Sequence, residues 1–147
     1  MWIFDSSIHK KMNSAALLLV RIVVGGLMLT HGIQKYYLLM KGGPIAFADP
    51  IGIGEGPSLV LAVFAELVCS ALLIIGFATR IIVLPLIVTM VIAVFIVHGH
   101  HGLEKQELPI LYLLIYVLLL ITGSGKYSVD GIIPRKKKYI FGSNLRK

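Results

Sequence analysis

Residues 58–78 read SLVLAVFAELVCSALLIIGFA, and this stretch decides the fold. Its only charged residue is Glu66, and nearly all the other side chains are apolar. A helix needs about 20 largely apolar residues to cross a bilayer, within a range of about 17–25. Residues 58–78 are therefore predicted to form a membrane-spanning helix, with Glu66 at membrane depth.

Three further segments have the length and hydropathy of membrane-spanning helices: residues 15–39, 81–98 and 108–122. Of the 147 residues, 57% are hydrophobic and 14% are charged, and the mean hydropathy is +0.90. Soluble domains average about 45–50% apolar and about 25% charged residues. A small chain with this composition cannot bury its apolar side chains in a water-soluble core. We therefore predict an all-α membrane protein, a bundle of four transmembrane helices.

Proline and glycine mark the predicted helix ends. Pro57 and Pro109 are expected in the first turns of the second and fourth helices, where a missing N–H costs nothing. Gly76 and residues 123–125 are expected where these helices end. The link between the second and third helices is very short, which predicts antiparallel neighbours.

The basic residues predict the orientation. One side collects Lys10, Lys11, Arg80 and the basic residues of the C-terminal tail, whereas the other side has only Lys41 and Lys105. By the positive-inside rule both termini are predicted to be cytoplasmic. The chain then divides into an N-terminal cytoplasmic segment (1–13), a four-helix membrane domain (14–131) and a basic cytoplasmic tail (132–147). The predicted location is the plasma membrane of a bacterium, crossed several times.

The loop at residues 40–57 is rich in glycine and proline. It contains KGGP and DPIGIGEGP, which forbid a continuous helix. We expect this loop to lie as a lid or re-entrant turn on the outer face of the bundle.

Ionisable side chains at membrane depth are the candidate site residues, because such groups are costly in lipid and usually face a bundle interior or cavity. At about 1.5 Å per residue, Glu66 lies about 12 Å below the outer surface, close to the depth of His31 on the first helix. Lys35 can reach the same depth from above. We predict a catalytic cluster of Glu66, His31 and Lys35, with His98 capping it. The remaining predicted ligand-binding residues are Arg21, Gln34, Tyr112 and Tyr116.

Several of these residues also have a structural interpretation. Lys35 could extend to the outer interface, Arg21 could extend inward or bond carbonyls of a neighbouring helix, and His98 could be solvated at a helix end. Tyr112 and Tyr116, one turn apart, could be ordinary packing. Glu66 lacks such an explanation, since a lone carboxylate in an apolar span is costly.

Other features limit the chemistry. The one cysteine, Cys69, cannot form an intrachain disulfide, a CxxC dithiol or a multi-cysteine metal site. Redox chemistry would therefore need a bound cofactor or the thiols of a partner. The closely spaced histidines of HGHHG (98–102) have low specificity, and no metal site is predicted. The basic tails lack the stacking aromatics of a nucleic-acid module, so nucleic acid is excluded as a partner.

The order of several short motifs resembles the DoxX family of small four-helix membrane proteins. These motifs are Arg21 with the following glycines, His31-Gly32-x-x-Lys35, Ala65-Glu66 with Gly76 beyond it, Thr79-Arg80, His98, and GSGKYSVD at residues 123–130. The resemblance covers roughly residues 14–131. The loop IGIGEGP departs from the simpler Gly-Leu-Pro turn of relatives.

The resemblance implies two functions. In the first, the chain is a membrane subunit of a quinone-linked oxidoreductase system, acting on thiols or sulfur compounds or in redox stress. Quinone would be the cofactor, and a protein partner would supply the electrons. In the second, the chain is a non-catalytic assembly factor or lipid-binding protein, whose polar cluster holds the bundle together or binds a lipid or client helix. Transport is a third alternative, and homo-oligomerisation is compatible with each.

Overall fold

The computed structural model describes residues 10–43, 45–100 and 102–133 of the chain. Helix α1 is Lys10–Met40, and α2 consists of Glu55–Val63, a π-helical segment Phe64–Cys69, and Ser70–Ile75. Helix α3 consists of Thr79–Ile92 and a π-helical segment Ala93–Val97, α4 is Leu103–Thr122, and α5 is the short helix Val129–Ile132. The described ranges contain no strand, and four of the helices are long and apolar enough to cross a membrane. The predicted all-α fold with four transmembrane helices is confirmed.

The helices extend beyond the apolar spans that the sequence predicts. Helix α1 begins at Lys10 instead of residue 15, and α4 begins at Leu103 instead of residue 108. The added residues are mostly polar but favour helix, so a hydropathy window leaves them out. Pro109 consequently lies inside α4, and its predicted place in the first turn is wrong. Most of the predicted N-terminal segment and nearly all of the predicted tail lie outside the described residues.

A three-residue turn at residues 76–78 joins α2 to α3 and makes the two helices antiparallel neighbours, as predicted. Gly76 has φ +71° and its N–H donates to the carbonyls of Leu72 and Leu73, which ends α2. We call the end of the bundle that contains this turn the inner end. The opposite end, which carries the loop at residues 41–54, is the outer end.

The four long helices are arranged as two antiparallel pairs. Helix α1 packs along all three segments of α2, and α3 packs along α4. Helix α3 also contacts α2 through the π-helical and inner segments of α2. Four fully buried side chains fill the inner half between the pairs: Leu73, Val83, Leu86 and Leu119. The inner half is therefore a packed apolar core.

Glycine brings α1 and α2 into backbone contact at the level of Glu66. A Cβ placed on Gly32 would lie 2.6 Å from the carbonyl carbon of Glu66 and 2.6 Å from the amide nitrogen of Leu67. Small residues permit such close approach of helices in membranes. Gly32 thus positions the backbone that carries Glu66.

Candidate functional site

A cavity of about 730 Å³ occupies the outer half of the bundle. All four long helices and the outer loop contribute to its wall, and most of the lining side chains are apolar. The polar and charged side chains of the wall are His31, Lys35, Ser58, Glu66, Thr89, His98, Lys105 and Tyr112. An apolar cavity with a few convergent polar groups is the usual form of a small-molecule site.

An ion pair between Lys35 and Glu66 is the central polar feature of this wall. The ammonium group of Lys35 donates to Oε1 of Glu66. The Glu66 side chain is almost fully buried, whereas that of Lys35 is 29% exposed. Oε2 of Glu66 has no hydrogen-bond partner in the described part of the chain. The pair therefore leaves one buried acceptor oxygen unsatisfied, and the ammonium group of Lys35 keeps further protons to donate.

The π-helical segments of α2 and α3 both contribute to the cavity. Glu66 lies within Phe64–Cys69, and the second segment, Ala93–Val97, ends directly before His98. A π-helical turn inserts an extra residue into the helix and is frequent at functional sites. The two irregular turns are therefore associated with the cavity wall.

The outer loop covers the cavity, as its composition predicts. Phe47, Ala48, Pro50 and Ile51 line the wall, and the Phe47 ring lies 5.8 Å from the ammonium nitrogen of Lys35. This distance fits a cation–π contact. The sequence suggested a lid, and the structure adds the aromatic ring that contacts the predicted lysine.

Asp49 fixes the fold of this loop. Its Oδ2 accepts the N–H of Gly54 at 2.8 Å, and its Oδ1 accepts the hydroxyl of Ser58 at 2.8 Å and the N–H of Ile53 at 3.0 Å. These bonds, above all those from Gly54 and Ser58, lower the pKa of the Asp49 carboxyl. The loop is thereby tied to the first turn of α2.

The cavity opens sideways between α2 and α3. Leu61 and Phe64 on α2, and Leu84 and Val88 on α3, line the wall and are each about half exposed. The π-helical and inner segments of α2 make most of the contacts with α3, and the outer segment Glu55–Val63 makes few. In a bilayer such an opening faces lipid, and an apolar tail can extend through it.

The structure brings some of the predicted site residues together. Glu66 and Lys35 form the ion pair, and His31, His98 and Tyr112 line the same cavity. The expected contact between Glu66 and His31 is absent from the described contacts, since Oε1 bonds Lys35 and Oε2 has no partner. Similar depth on two helices does not ensure contact, because each side chain also has a direction around its helix axis.

Three predicted ligand-binding residues lie outside the cavity wall. Gln34 is exposed on α1, next to Lys35 but turned by about 100° around the helix axis. Tyr116 is fully buried one turn below Tyr112, with their rings stacked at 6.0 Å, and its hydroxyl has no partner among the described residues. The third residue, Arg21, lies at the inner end.

Arg21 links α1 to the segment after α4 at the inner end. It is fully buried and donates to the carbonyls of Ser124 and Tyr127, the latter at 2.8 Å. Its predicted role as a ligand-binding residue therefore has no geometric basis, and the alternative of carbonyl bonding matches the observed contacts. Arg21 lies ten residues before His31, roughly 15 Å along the helix, which accounts for the separation.

Asp130 adds further hydrogen bonds at the inner end. Its two carboxylate oxygens accept the N–H groups of Ala78 at 2.7 Å and Thr79 at 2.9 Å, which caps the start of α3. Burial alone would raise the pKa of this carboxyl, but the bonds from Thr79 and Ala78 outweigh burial and lower the pKa. The motif GSGKYSVD thus closes the bundle on the side opposite the cavity.

The sequence interpretation missed several residues around the cavity. Phe47, Thr89 and Lys105 line its wall, and Asp49 ties down the loop. Asp49 had a local signal, since it precedes a proline in a glycine-rich turn and can accept nearby N–H groups. Phe47 had none, because its contact with Lys35 depends on how the loop folds back.

Comparison with known proteins assigns the chain to a family. The DoxX family model matches residues 16–99, which is more than half of the chain. The chain belongs to the DoxX family. The match covers α1 to α3 and so includes Lys35 and Glu66.

Relatives from three bacterial species align with most of the chain. An uncharacterized protein of Haemophilus influenzae is 33% identical over 127 residues, which span 80% of this chain and 90% of the relative. The Bacillus subtilis protein named "Putative oxidoreductase CatD" is 30% identical over 122 residues, 82% of this chain and 89% of the relative. An uncharacterized membrane protein of Mycobacterium tuberculosis is 29% identical over 132 residues, 80% of each chain. No solved structure gives a significant match.

Proposed function

We propose that this DoxX protein is a membrane subunit of a quinone-linked oxidoreductase system, with the quinone headgroup bound in the outer cavity. The observation that carries the proposal is the buried Lys35–Glu66 pair in the wall of a cavity that opens sideways between α2 and α3. A quinone has a polar headgroup and a long apolar tail. The pair suits the headgroup, and the opening suits the tail.

The chemistry of the pair fits a quinone. The ammonium group of Lys35 can donate to a quinone carbonyl oxygen, and Glu66 in its protonated form can pass a proton to an oxygen of the reduced quinone. His31 and Tyr112 line the same wall and supply further polar groups for the second oxygen. Because a quinone that receives electrons also takes up protons, Glu66 would relay protons to it.

Electrons would come from a partner protein that acts on thiols, sulfur compounds or the products of redox stress. The sole cysteine, Cys69, is fully buried and cannot form a dithiol with a second cysteine of this chain. The name of the Bacillus subtilis relative supports an oxidoreductase assignment. We place the protein in the bacterial plasma membrane with both termini in the cytoplasm, on the strength of its basic residues.

The test is the amount of quinone that co-purifies with the protein in mild detergent, measured by mass spectrometry of the extracted lipids. Loss of one hydrogen bond to a charged group costs about 1.5–3 kcal/mol, so Glu66→Gln and Lys35→Met should each lower quinone affinity about 10- to 100-fold. Glu55→Gln is the matched control, because Glu55 is an exposed carboxylate at the start of the same helix and lies outside the cavity wall.

A double variant separates binding from folding. Lys35→Met alone leaves a buried carboxylate without its partner, which should also destabilise the bundle. Lys35→Met combined with Glu66→Gln removes both charges, so its thermal unfolding should return toward that of the wild type while quinone stays absent. Normal quinone content in this double variant would refute the proposal.

A lipid-binding or assembly role is the second candidate, and the apolar wall with its lateral opening favours it. In that case phospholipid or a client helix occupies the cavity. Extraction would then yield phospholipid in place of quinone. The Glu66→Gln variant would have no effect on electron transfer to added quinone in membranes.

A further inference from the structure

A second concave surface lies at the inner end of the bundle and is independent of the outer cavity. This inner notch has a volume of about 570 Å³ and is lined by residues 78–81, 122–126 and 130–133. It shares no lining residue with the outer cavity. The α2–α3 turn forms one side of the notch, and the segment after α4 forms the other.

Two cationic side chains lie at the notch. Arg80 and Lys126 are both exposed, and neither forms an ion pair within the described ranges. Nη2 of Arg80 donates to the carbonyl of Ile121 at 3.2 Å, which holds the guanidinium against the end of α4. The side chain stays exposed despite this contact, so its other N–H groups remain available.

The acidic residue of the notch is already engaged. Both carboxylate oxygens of Asp130 accept backbone N–H groups, and the buried guanidinium of Arg21 interacts electrostatically with the same carboxylate. Arg21 is itself fully buried and bonded to carbonyls, so it is not offered to a ligand. The charge that the notch presents outward is therefore that of Arg80 and Lys126.

Apolar side chains adjoin these cations. Ile81, Ile132 and Ile133 line the notch and are 68%, 80% and 51% exposed. Exposed isoleucines beside two unpaired cations give a surface that is apolar on one part and basic on the other. This combination matches the junction between the phosphate and the acyl chains of a phospholipid.

We propose that the inner notch binds the headgroup phosphate of an anionic phospholipid. The phosphate lies between Arg80 and Lys126, and the acyl chains follow Ile81 and Ile132 into the bilayer. Basic groups at the membrane surface attract anionic lipid, and basic pockets between transmembrane helices bind anionic headgroups.

The experiment measures binding of phosphatidylglycerol and of phosphatidylcholine to delipidated, detergent-purified full-length protein by native mass spectrometry. One basic residue near an anionic surface contributes about 1 kcal/mol, which corresponds to about a fivefold change in affinity. Lys126→Gln should weaken phosphatidylglycerol binding about fivefold, and Arg80→Gln by at least as much. Lys41→Gln, an exposed lysine at the outer end, should leave the binding unchanged.

Three further outcomes decide the proposal. Equal affinity for the two lipids would overturn it, and so would equal losses in Lys41→Gln and Lys126→Gln, because the charge effect would then be general. Inorganic phosphate that displaces the lipid at matched concentration would show a free-anion site instead. Should Arg80→Gln fail to fold, Lys126→Gln alone decides the result, since the exposed Lys126 side chain forms no hydrogen bond or ion pair with the described residues.

Discussion

The packing of Gly32 against the backbone of α2 predicts a large effect of a very small change, Gly32→Ala. The added Cβ would lie 2.6 Å from the carbonyl carbon of Glu66 and 2.8 Å from its carbonyl oxygen. Carbon atoms in ordinary contact are about 3.5–4.0 Å apart, so the two helices must separate by roughly 1 Å. Backbone atoms cannot rotate away as a side chain can. The strain therefore falls on the α1–α2 interface.

Gly26→Ala is the matched control for this substitution. Gly26 lies on the same helix, and a Cβ added there meets no atom within 4 Å. Both variants gain the higher helix propensity of alanine, about 1 kcal/mol, so the difference between them isolates the packing cost. Overpacking of a tight interface costs about 1–3 kcal/mol. Gly32→Ala should therefore be about 1–3 kcal/mol less stable than Gly26→Ala.

The assay is reversible unfolding in mixed micelles of a mild detergent and sodium dodecyl sulfate, followed by circular dichroism. Gly25→Ala should fall between the other two variants, because its Cβ meets the flexible Ile74 side chain at 2.7 Å and the Ser70 carbonyl at 3.2 Å. Equal stability of Gly32→Ala and Gly26→Ala would refute the close approach of α1 and α2. It would also remove the basis for placing Glu66 beside Lys35.

Three further predictions concern polar groups that are buried or partly buried. Arg21→Met should lower the free energy of unfolding by about 3 kcal/mol, because two carbonyls lose a charged donor. The stability of Arg21→Lys should lie between that of Arg21→Met and that of the wild type, and thermal melts in detergent check this order. Asp130→Asn should cost about 1 kcal/mol at neutral pH, because the amide keeps one acceptor oxygen but loses the second acceptor and the negative charge. Because the pKa of Asp130 is lowered in the folded protein, its contribution to stability is complete above about pH 4 and is lost as the pH falls through the folded-state pKa. The difference in unfolding free energy between the wild type and Asp130→Asn should therefore become smaller in acid, which unfolding measured against pH will show. Tyr116→Phe should be as stable as the wild type or up to about 1 kcal/mol more stable, since the buried hydroxyl of Tyr116 has no hydrogen-bond partner among the described residues. A marked loss of stability in the same melts would show that this hydroxyl has a partner outside the described residues.

Much of the candidate site could be anticipated from Glu66 and Lys35 alone. A carboxylate and an amine at membrane depth on neighbouring helices have a strong reason to meet, because each is costly without a partner. Arg21 has the same reason to find partners, and its partners are carbonyls at the inner end. The sequence shows that a buried cation needs acceptors, but it does not show which acceptors are within reach.

The direction of each side chain around its helix was the main source of error. Gln34 and Lys35 are adjacent in sequence, yet one is exposed on α1 and the other reaches the cavity. The π-helical segment around Glu66 changes the helical register locally, so a regular 3.6-residue count misplaces the residues after it. The contact of Phe47 with Lys35 depends on a loop whose path is fixed by Asp49.

Sequence information was enough to predict the number of crossings, the antiparallel link at residues 76–78, the lid-forming loop and the presence of an acid at membrane depth. These follow from hydropathy, chain length and backbone stereochemistry, which act locally. Three-dimensional packing was needed to show that Lys35 bonds Glu66 while His31 does not, that Arg21 bonds carbonyls at the inner end, and that the cavity opens between α2 and α3. Those outcomes depend on helix rotation and on contacts between distant residues, which hydropathy and local spacing do not fix.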